Sequence, residues 1–404
     1  MTHDQHTTDT PVSVADTNRA VAPTAAAATV TAAGIAFPAA AQTLSPKSTG
    51  VAGPGEFAGG VVEFDKTAIA GQETFLNFGC EVAKRNPATP DWKRANVYFE
   101  RKVFGEKLRM PDGVEVDYWG FEDPLRGNGA RPFPSPVIRV QEGDLVHVKL
   151  QTSKGPHTIH HHGIEPTTMN DGVGHVSMEV SGSYIYQWQP QHAGTWIYHC
   201  HVNTVLHFEM GLYGALIVDP APDAAGKIRA FKNGPEYQVE KLWVFDDIDP
   251  RWHDLEHDAG LCGGDVGLNI FRPRYFFVSG IVNTRATTHS TVAVTAKRTD
   301  QVLIRMINAA YSVMRIQFDM DVEVISVDGH SLNKPWAKPY TIPRGEWFEM
   351  ATATRYDIII KPPYMARTGK ARFQFTDWIT KRVHGATSTN RLYVGYAETN
   401  INFV

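Results

Sequence analysis

The feature that most constrains this chain is a cysteine with a histidine on each side, His199-Cys200-His201, placed directly after the strand-like run at residues 194–198. A second histidine group, His-Thr-Ile-His-His-His at residues 157–162, precedes it in the chain. A thiolate with imidazole partners is a soft, electron-rich ligand set of the kind that holds blue copper in electron-transfer sites. The two segments therefore indicate a copper protein.

The spacing of these histidines predicts more than one copper position. Side chains alternate between the two faces of an extended strand, so His199 and His201 face away from Cys200, and His160 and His162 share one face of their own strand. The pattern therefore predicts one site built on Cys200 and another supplied by the His-x-His pairs. A one-electron site beside a multi-histidine site forms a redox relay.

Four motifs resemble the copper-binding motifs of the multicopper oxidases, the laccase-like enzymes: residues 157–163, 170–172, 194–201 and 207–212. At domain level the resemblance covers roughly residues 95–404. It implies oxidation of a small-molecule or metal-ion reductant coupled to reduction of dioxygen to water. Carried over by position, the implied type 1 copper ligands are His157, Cys200 and His207, and the implied type 2/type 3 ligands are His160, His162, His199 and His201.

The type 1 motif departs from the family in its spacing. The family's second type 1 histidine usually follows the cysteine by five residues, where this chain has Val205, and His207 comes two residues later. We interpret this as a small loop insertion. Counted from His207, the axial position falls on Leu212, which would leave a three-coordinate copper of raised potential; Met210 is the alternative axial residue.

The number of histidines departs as well. The family's trinuclear cluster uses four His-x-His pairs, and this chain offers two, both in its first half rather than in a last domain. The histidines after residue 220 do not form His-x-His pairs. They are His253, His257, His289, His330 and His384. We therefore expect a homo-oligomer, a dimer or a multiple of dimers. In such a dimer, His160 from each of the two chains would bind the type 2 copper. His162, His199 and His201 from each chain would bind the type 3 pair.

Two other functions stay open at this point. In copper nitrite reductases, which are trimers, His162 and His199 would be local type 2 ligands, and His160 would stand at the position of a catalytic aspartate. The third ligand would come from the neighbouring chain, from His289, His330 or His384. The second pair, completed by His201, argues against this arrangement. A copper carrier or electron-transfer protein would use only the Cys200 site.

Proton delivery to a dioxygen-reducing site needs an acid close to it. Asp171, in the motif Asn-Asp-Gly, matches the family position that often has this role. An equally simple interpretation is a turn aspartate before Gly172. Glu165 and Glu209 are less specific candidates for the same role.

The rest of the chain predicts an all-β protein with two cupredoxin-like Greek-key β-sandwich domains. Short β-rich runs separated by glycine and proline begin near residue 98 and continue beyond residue 355. We expect an irregular N-terminal arm or export segment at 1–60, a copper-binding domain at 61–222, and a domain without copper ligands at 236–404.

Charge and composition exclude some partners. A net charge of -4 gives no sign of a nucleic-acid partner, which would need a clustered basic surface, and the chain shows no apolar run long enough for a membrane span. We expect a periplasmic or extracellular protein. Cys80 and Cys262 could form one disulfide in an oxidising compartment. Phenols, aromatic amines and cuprous, ferrous or manganous ions all stay open as substrates.

Several histidines have simpler interpretations. His161 is expected at the surface, with a place along the route to the type 1 copper as the alternative, and His147 is expected on the solvent side of its strand. His253 and His257, followed by Cys262, are interpreted as part of a polar loop, with a further metal site as the alternative.

Overall fold

The computed structural model describes residues 62–63, 97–126, 131–152, 155–174, 176–221, 223, 226–363 and 365–404. These residues all belong to one compact unit, Thr49–Val404. The arm predicted at 1–60 lies outside them, and so does Cys80. The domain boundaries at 61–222 and 236–404 stay a prediction.

Two sheets are formed by the part of the chain that carries the histidine motifs. The first has the order β1-β2-β5-β7 with β3 paired to β2, and the second has the order β4-β9-β8-β6. Their strands are β1 Val62–Glu63, β2 Val97–Arg109, β3 Glu115–Glu122, β4 Ser135–Gln141, β5 Val146–Gln151, β6 His160–His162, β7 Ser183–Trp188, β8 Gly194–His199 and β9 Tyr213–Asp219. The helices are α1 Thr168–Asp171 and α2 Thr204–Glu209, with a short 3₁₀ turn at Pro124–Arg126.

Apolar side chains from both sheets fill the space between them. Their core includes Phe99, Val148, Ile159, Tyr198 and Leu216, all nearly or fully buried. Burying a side chain of this size contributes about 1.5–3 kcal/mol. The parallel pairings of β2 with β5 and of β4 with β9 require chain crossovers between the sheets, as in a Greek-key sandwich.

A second sandwich follows and is built in the same way. Its larger sheet has the order β12-β11-β10-β14-β20-β16-β17 with β18 paired to β16, and its smaller sheet the order β13-β22-β21-β15-β19. The strands are β10 Val239–Ile248, β11 Tyr275–Val278, β12 Ile281–Val282, β13 Val294–Ala296, β14 Val302–Asn308, β15 Val313–Phe318, β16 Val322–Val327, β17 His330–Ser331, β18 Tyr340–Ile342, β19 Trp347–Met350, β20 Arg355–Ile360, β21 Arg367–Thr376 and β22 Tyr396–Phe403. Short 3₁₀ turns lie at Asn283–Arg285 and Arg391–Tyr393.

Strand β8, which leads into the His-Cys-His motif, packs against the second sandwich. Thr195 donates a hydrogen bond to the buried carboxylate of Asp357, and Arg305 donates one to Thr195 over 3.1 Å. The backbones of the two sandwiches lie in close contact at Gly194 and Gly329, since a Cβ atom on Gly194 would lie 2.2 Å from the Gly329 carbonyl oxygen. The second sandwich thus supports the strand that carries the copper motif.

Among the described residues, no helix is long and apolar enough to cross a membrane.

Candidate metal centres

The structure brings together the three residues predicted to bind a type 1 copper. The Nδ1 atoms of His157 and His207 lie 3.6 Å and 3.4 Å from Cys200 Sγ. One ligand atom from each residue lies within 4.8 Å of the others, and all three residues are buried. One sulfur and two imidazole nitrogens converging in a buried pocket fit the His₂Cys ligand set of a blue copper site.

Each of these ligands is positioned by a different local structure. His157 forms a backbone bridge with Val180, just before β6. Cys200 directly follows β8, and its amide donates to the Leu212 carbonyl over 2.9 Å. His207 lies on α2. The longer spacing between Cys200 and His207, interpreted from the sequence as a loop insertion, is therefore accommodated by a short helix. One helical turn therefore absorbs the two extra residues and returns His207 to Cys200.

Of the two residues predicted for the axial position, Leu212 rather than Met210 packs in the cluster that contains Cys200. Leu212 belongs to the same buried cluster as Cys200 and is joined to it by the backbone hydrogen bond. Met210 packs with Leu206 and Trp252 in a separate cluster. A leucine there would add no ligand atom to the site.

Protonation of these ligands depends on burial. Burial raises the pKa of the Cys200 thiol to about 11, so the thiol is protonated at neutral pH when no metal is bound. Burial lowers the pKa of His207 to about 4, which keeps that imidazole neutral. Because copper binds a cysteine as the thiolate, a copper ion held here by Cys200 would displace a proton.

The second group is formed by the His-x-His pairs. Ligand atoms of His160, His162 and His199 lie within 4.8 Å of one another, with His162 Nδ1 3.3 Å from His199 Nε2. Strand β6 pairs with β8 so that His160 stands opposite His199, which explains why the two motifs meet. His201 is not part of this three-residue group, but its ring centroid lies 5.4 Å from that of His160 and 5.6 Å from that of His199.

The electrostatics of this group favour neutral imidazoles. Burial, together with the nearby Arg355 guanidinium, lowers the pKa of His162 to about 4, and burial also lowers the pKa of His199 well below its usual value. His199 donates through Nδ1 to the Cys200 carbonyl over 2.8 Å, which leaves Nε2 as its ligand atom. The neutral imidazole ring is the form that binds a metal ion.

Asp171 lies against this group at the end of α1. Its Oδ1 atom is 3.3 Å from His160 Nδ1, and its backbone carbonyl accepts a hydrogen bond from the same nitrogen over 2.7 Å. Gly172, at φ 73°, ends the helix in the left-handed conformation. A Cβ atom there would lie 1.9 Å from the Ile159 carbonyl oxygen, so the close packing of Asp171 beside His160 needs glycine.

Glu165 and Glu209 were the less specific acid candidates. Glu209 is buried between the two sandwiches, where it accepts a hydrogen bond from the Asp249 amide over 2.8 Å. Its Oε1 atom also lies 3.5 Å from His253 Nε2. Glu165 stands at φ 52°, two residues after the turn glycine Gly163. Only Asp171 among the three contacts a histidine of the second group in the interactions shown by the described residues.

Two expectations about neighbouring histidines were wrong. His161 is fully buried, with its ring 4.9 Å from that of Trp188, because the face of β6 opposite His160 and His162 faces the sandwich core. His147 is also buried, since β5 lies between β2 and β7 and the cross-strand partners of His147, Tyr98 and Gln187, are buried beside it. Strand alternation predicted the direction of each side chain but not what would cover it.

The segment with His253 and His257 is a series of turns, as the polar-loop interpretation predicted. Within the described part of the chain these two residues and Cys262 form no metal-ligand group. His253 Nδ1 contacts the Asp117 carbonyl, and Cys262 is exposed. The pairing of Cys262 with Cys80 stays a prediction.

Sequence reasoning did not place three residues that lie near the two centres. His257 lies beside the rings of His157 and His207, while Arg355 and Asp328, 3.3 Å apart, lie beside His162. All three come from the second half of the chain and belong to no recognisable copper motif. Only the folded arrangement brings them to the centres.

Residues 127–223 match the family model described as multicopper oxidase. A probable nitrite reductase-hydroxylamine oxidoreductase fusion protein from Kuenenia stuttgartiensis is 33% identical over 182 residues, 40% of this chain and 21% of that protein. L-ascorbate oxidase from Cucumis sativus is 38% identical over 169 residues, 39% of this chain and 25% of that protein.

Solved structures extend the similarity to both sandwiches. The blue copper oxidase from Nitrosomonas europaea superposes with a TM-score of 0.56 at 23% identity, over 76% of this chain and 85% of that one. This confirms the cupredoxin-type all-β fold, and the family match confirms the resemblance to multicopper oxidases over residues 127–223. The chain spans about a quarter or less of the length of the two curated relatives.

Proposed function

We propose that this chain, with its multicopper oxidase-type domain, is a copper-dependent oxidoreductase that oxidises a small reductant and passes the electrons to dioxygen. The observation that carries the proposal is the convergence of two ligand groups on the two faces of one strand end. Cys200 points to one group, and His199, on the other face, belongs to the second. Copper bound in these groups would supply one-electron transfer at the first and reduction of dioxygen to water at the second.

The residues of the chain have separate tasks in this scheme. His157, Cys200 and His207 hold the type 1 metal in a pocket that excludes water, since all three are buried. The backbone of Cys200 leads directly to His199 and His201, so a short covalent path joins the two groups. Asp171, beside His160, is placed to hold and deliver a proton to the second group.

We also propose that a second copy of the chain completes the type 2/type 3 cluster. Among the described residues, the two metal-ligand groups contain no histidine from the second half of the chain. His160, His162 and His201 are partly exposed, as expected for ligands that meet further groups from a partner. A closed symmetric dimer would double the set to the number of histidines used in the family's cluster.

A nitrite reductase-like function is a second candidate, and one geometric observation favours it. His160, His162 and His199 form a compact group of three, whereas His201 lies outside it. In such an enzyme His162 and His199 would be the local type 2 ligands, and His160 would stand at the position of a catalytic aspartate. A histidine of a neighbouring chain would complete the coordination. The relative from Kuenenia stuttgartiensis, whose name includes nitrite reductase, is consistent with this reading. A blue-copper carrier without oxidase activity is a third candidate.

Copper content and assembly separate these candidates. A shared-cluster dimer would bind about 2.5 copper ions per chain, one type 1 ion and half of a three-ion cluster. We expect this value together with a dimeric mass and oxygen uptake. About two ions per chain, a trimeric mass and loss of nitrite without oxygen uptake would favour the nitrite reductase-like function. One ion per chain with neither reaction would leave the carrier.

The location and reductant follow from the same proposal. We propose a periplasmic or extracellular location, where copper is available and oxidised cysteines persist. Fractionation of the host cell, with Cys262 reactivity measured in each fraction, tests this directly. A panel of phenols, aromatic amines and reduced metal ions, followed by oxygen uptake, identifies the class of reductant.

A further inference from the structure

The outer side of the type 1 group is covered by the connection between β10 and β11. In this connection the His257 ring centroid lies 4.4 Å from that of His207 and 4.9 Å from that of His157. The same ring stacks on Trp119 at 6.1 Å, and the Trp119 ring also contacts both ligand rings. The two type 1 histidines are therefore enclosed by aromatic rings.

The backbone of the same segment occupies the outer nitrogen of His207. Nδ1 of His207 faces Cys200 Sγ, and Nε2 donates a hydrogen bond to the His257 carbonyl over 3.0 Å. Both nitrogens of this ligand are thus engaged, and the residue is fully buried. A reductant has no direct contact with His207 in this arrangement.

Further contacts hold the segment in place. Asn203 donates through Nδ2 to the carbonyls of His257 and Ala259, over 3.1 Å and 2.9 Å. His257 Nε2 lies 3.1 Å from the Pro156 carbonyl oxygen, and Nδ1 lies 2.6 Å from Asp258 Oδ1. Gly155, at φ +76°, makes room for the ring, since a Cβ atom there would lie 2.8 Å from Nε2.

The His257 side chain retains 21% exposure, whereas His157 and His207 are buried. We propose that His257 closes the type 1 site to direct contact by reductants and is itself the residue that an electron donor touches. This inference rests on the proposed function, because it assumes a type 1 copper at His157, Cys200 and His207. His257 would then favour electron donors that transfer an electron without touching His157 or His207.

The electron transfer balances without any bond change. An outer-sphere donor in contact with the His257 ring would lose one electron, and His157, Cys200 and His207 would hold the copper(II) ion that takes it up. No bond forms or breaks, and no proton moves. A hydroquinone, which would gain from a hydrogen bond to the ligand histidine, is disfavoured because the His257 carbonyl occupies that position.

The first test needs no copper. In the metal-free protein, Cys200 is alkylated with iodoacetamide, and peptide mass mapping measures its rate against the exposed Cys262. We expect His257→Ala and Asn203→Gly to accelerate modification of Cys200 by about tenfold, since both open the cover. Glycine tolerates the left-handed conformation of Asn203, at φ 40°. His257→Phe, which keeps the ring, and His192→Ala, an exposed histidine elsewhere, should stay at the native rate.

The second test compares two donors on the copper-loaded protein without oxygen. Loss of the blue absorption is followed with hexaammineruthenium(II), a saturated outer-sphere donor, and with hydroquinone. The ratio of the hydroquinone rate to the hexaammineruthenium(II) rate should rise about tenfold in Asn203→Gly, where the carbonyl is released. If this ratio and the alkylation rates match those of the native protein in both opening variants, the inference is wrong.

The two proposals fail in different ways. Absence of a blue band in the copper-loaded native protein would overturn the type 1 assignment, and alkylation of Cys200 would still report whether His257 closes the pocket. Cys200 modified as fast as Cys262 in the native protein would overturn the closure even with a blue band present. Where His257→Ala does not fold, Asn203→Gly alone decides the outcome.

Discussion

The group on Cys200 and the group of paired histidines lie on opposite faces of the same strand end, yet they differ in completeness. The Cys200 group is buried, has its ligands in one chain and is covered from outside by the β10–β11 connection. The histidine group is partly exposed and has half the family's number of ligands. The difference teaches that one sandwich supplies all three residues of the Cys200 group, whereas the proposed dioxygen site would need ligands from a second copy of the chain.

The sharpest way to separate the two groups is to remove the sulfur ligand. Cys200→Ser should abolish the blue absorption and remove about one copper ion per chain, since an alcohol does not replace a thiolate on copper. Copper at the paired histidines should remain. Copper analysis with optical and electron paramagnetic resonance spectra measures both effects. Cys262→Ser, at an exposed cysteine, is the matched control, and a blue band retained in Cys200→Ser would contradict the assignment.

The converse change addresses the paired histidines. His160→Ala should reduce the copper content from about 2.5 ions per chain to about one and abolish oxygen uptake, while the blue band remains. His160 contacts each of the other three histidines by ring packing, so its loss affects the whole group. His192→Ala should leave both values unchanged. Loss of the blue band in His160→Ala would show that the groups are not independent.

Asp171 tests the proton supply to the second group alone. Asp171→Asn should lower oxygen uptake by about a hundredfold, because an amide cannot deliver a proton. The backbone carbonyl that accepts from His160 persists, so copper content should not change. Anaerobic reduction of the type 1 copper should also keep its native rate. Glu165→Gln serves as the control. If Asp171→Asn kept the native rate of oxygen uptake, Asp171 would be only a turn residue before Gly172.

The two groups should also differ in proton release on copper binding. Below pH 11 the metal-free Cys200 is a thiol, since its pKa is raised to about 11, so copper displaces about one proton there. Type 1 affinity should therefore rise about tenfold per pH unit between pH 5 and 9. His162, with its pKa lowered to about 4, is already neutral in that range and contributes no proton. Calorimetry of copper binding to His160→Ala, in buffers of different ionisation enthalpy, measures the number of protons released. Copper binding without proton release would be inconsistent with a Cys200 thiol.

The smallest expected effect concerns the axial position. Leu212→Met should keep the blue band and lower the reduction potential of the type 1 copper modestly, because a thioether adds a weak ligand. Met210→Leu should leave the potential unchanged, since Met210 packs with Leu206 and Trp252. Redox titration of the blue band distinguishes the two. A shift in Met210→Leu without one in Leu212→Met would reverse the axial assignment.

The strand alternation of the motifs was enough to predict which histidines share a face. His160, His162 and His199 meet as expected because β6 and β8 pair in the register that places His160 opposite His199. The burial of His161 and His147 was not predictable in the same way. Whether a strand face is covered depends on the opposite sheet, and local alternation carries no information about it.

The sequence by itself determined the all-β fold and indicated which histidines share a strand face with one another and which face away from Cys200, because residue type and strand period are local properties. Only the tertiary structure decided that a turn of helix returns His207 to Cys200 and that Arg355 lies beside His162. It also decided that His257, fifty residues beyond His207, lies against the Cys200 group. Such contacts depend on how two sandwiches pack against each other, and packing between distant segments leaves no periodic signal in the chain.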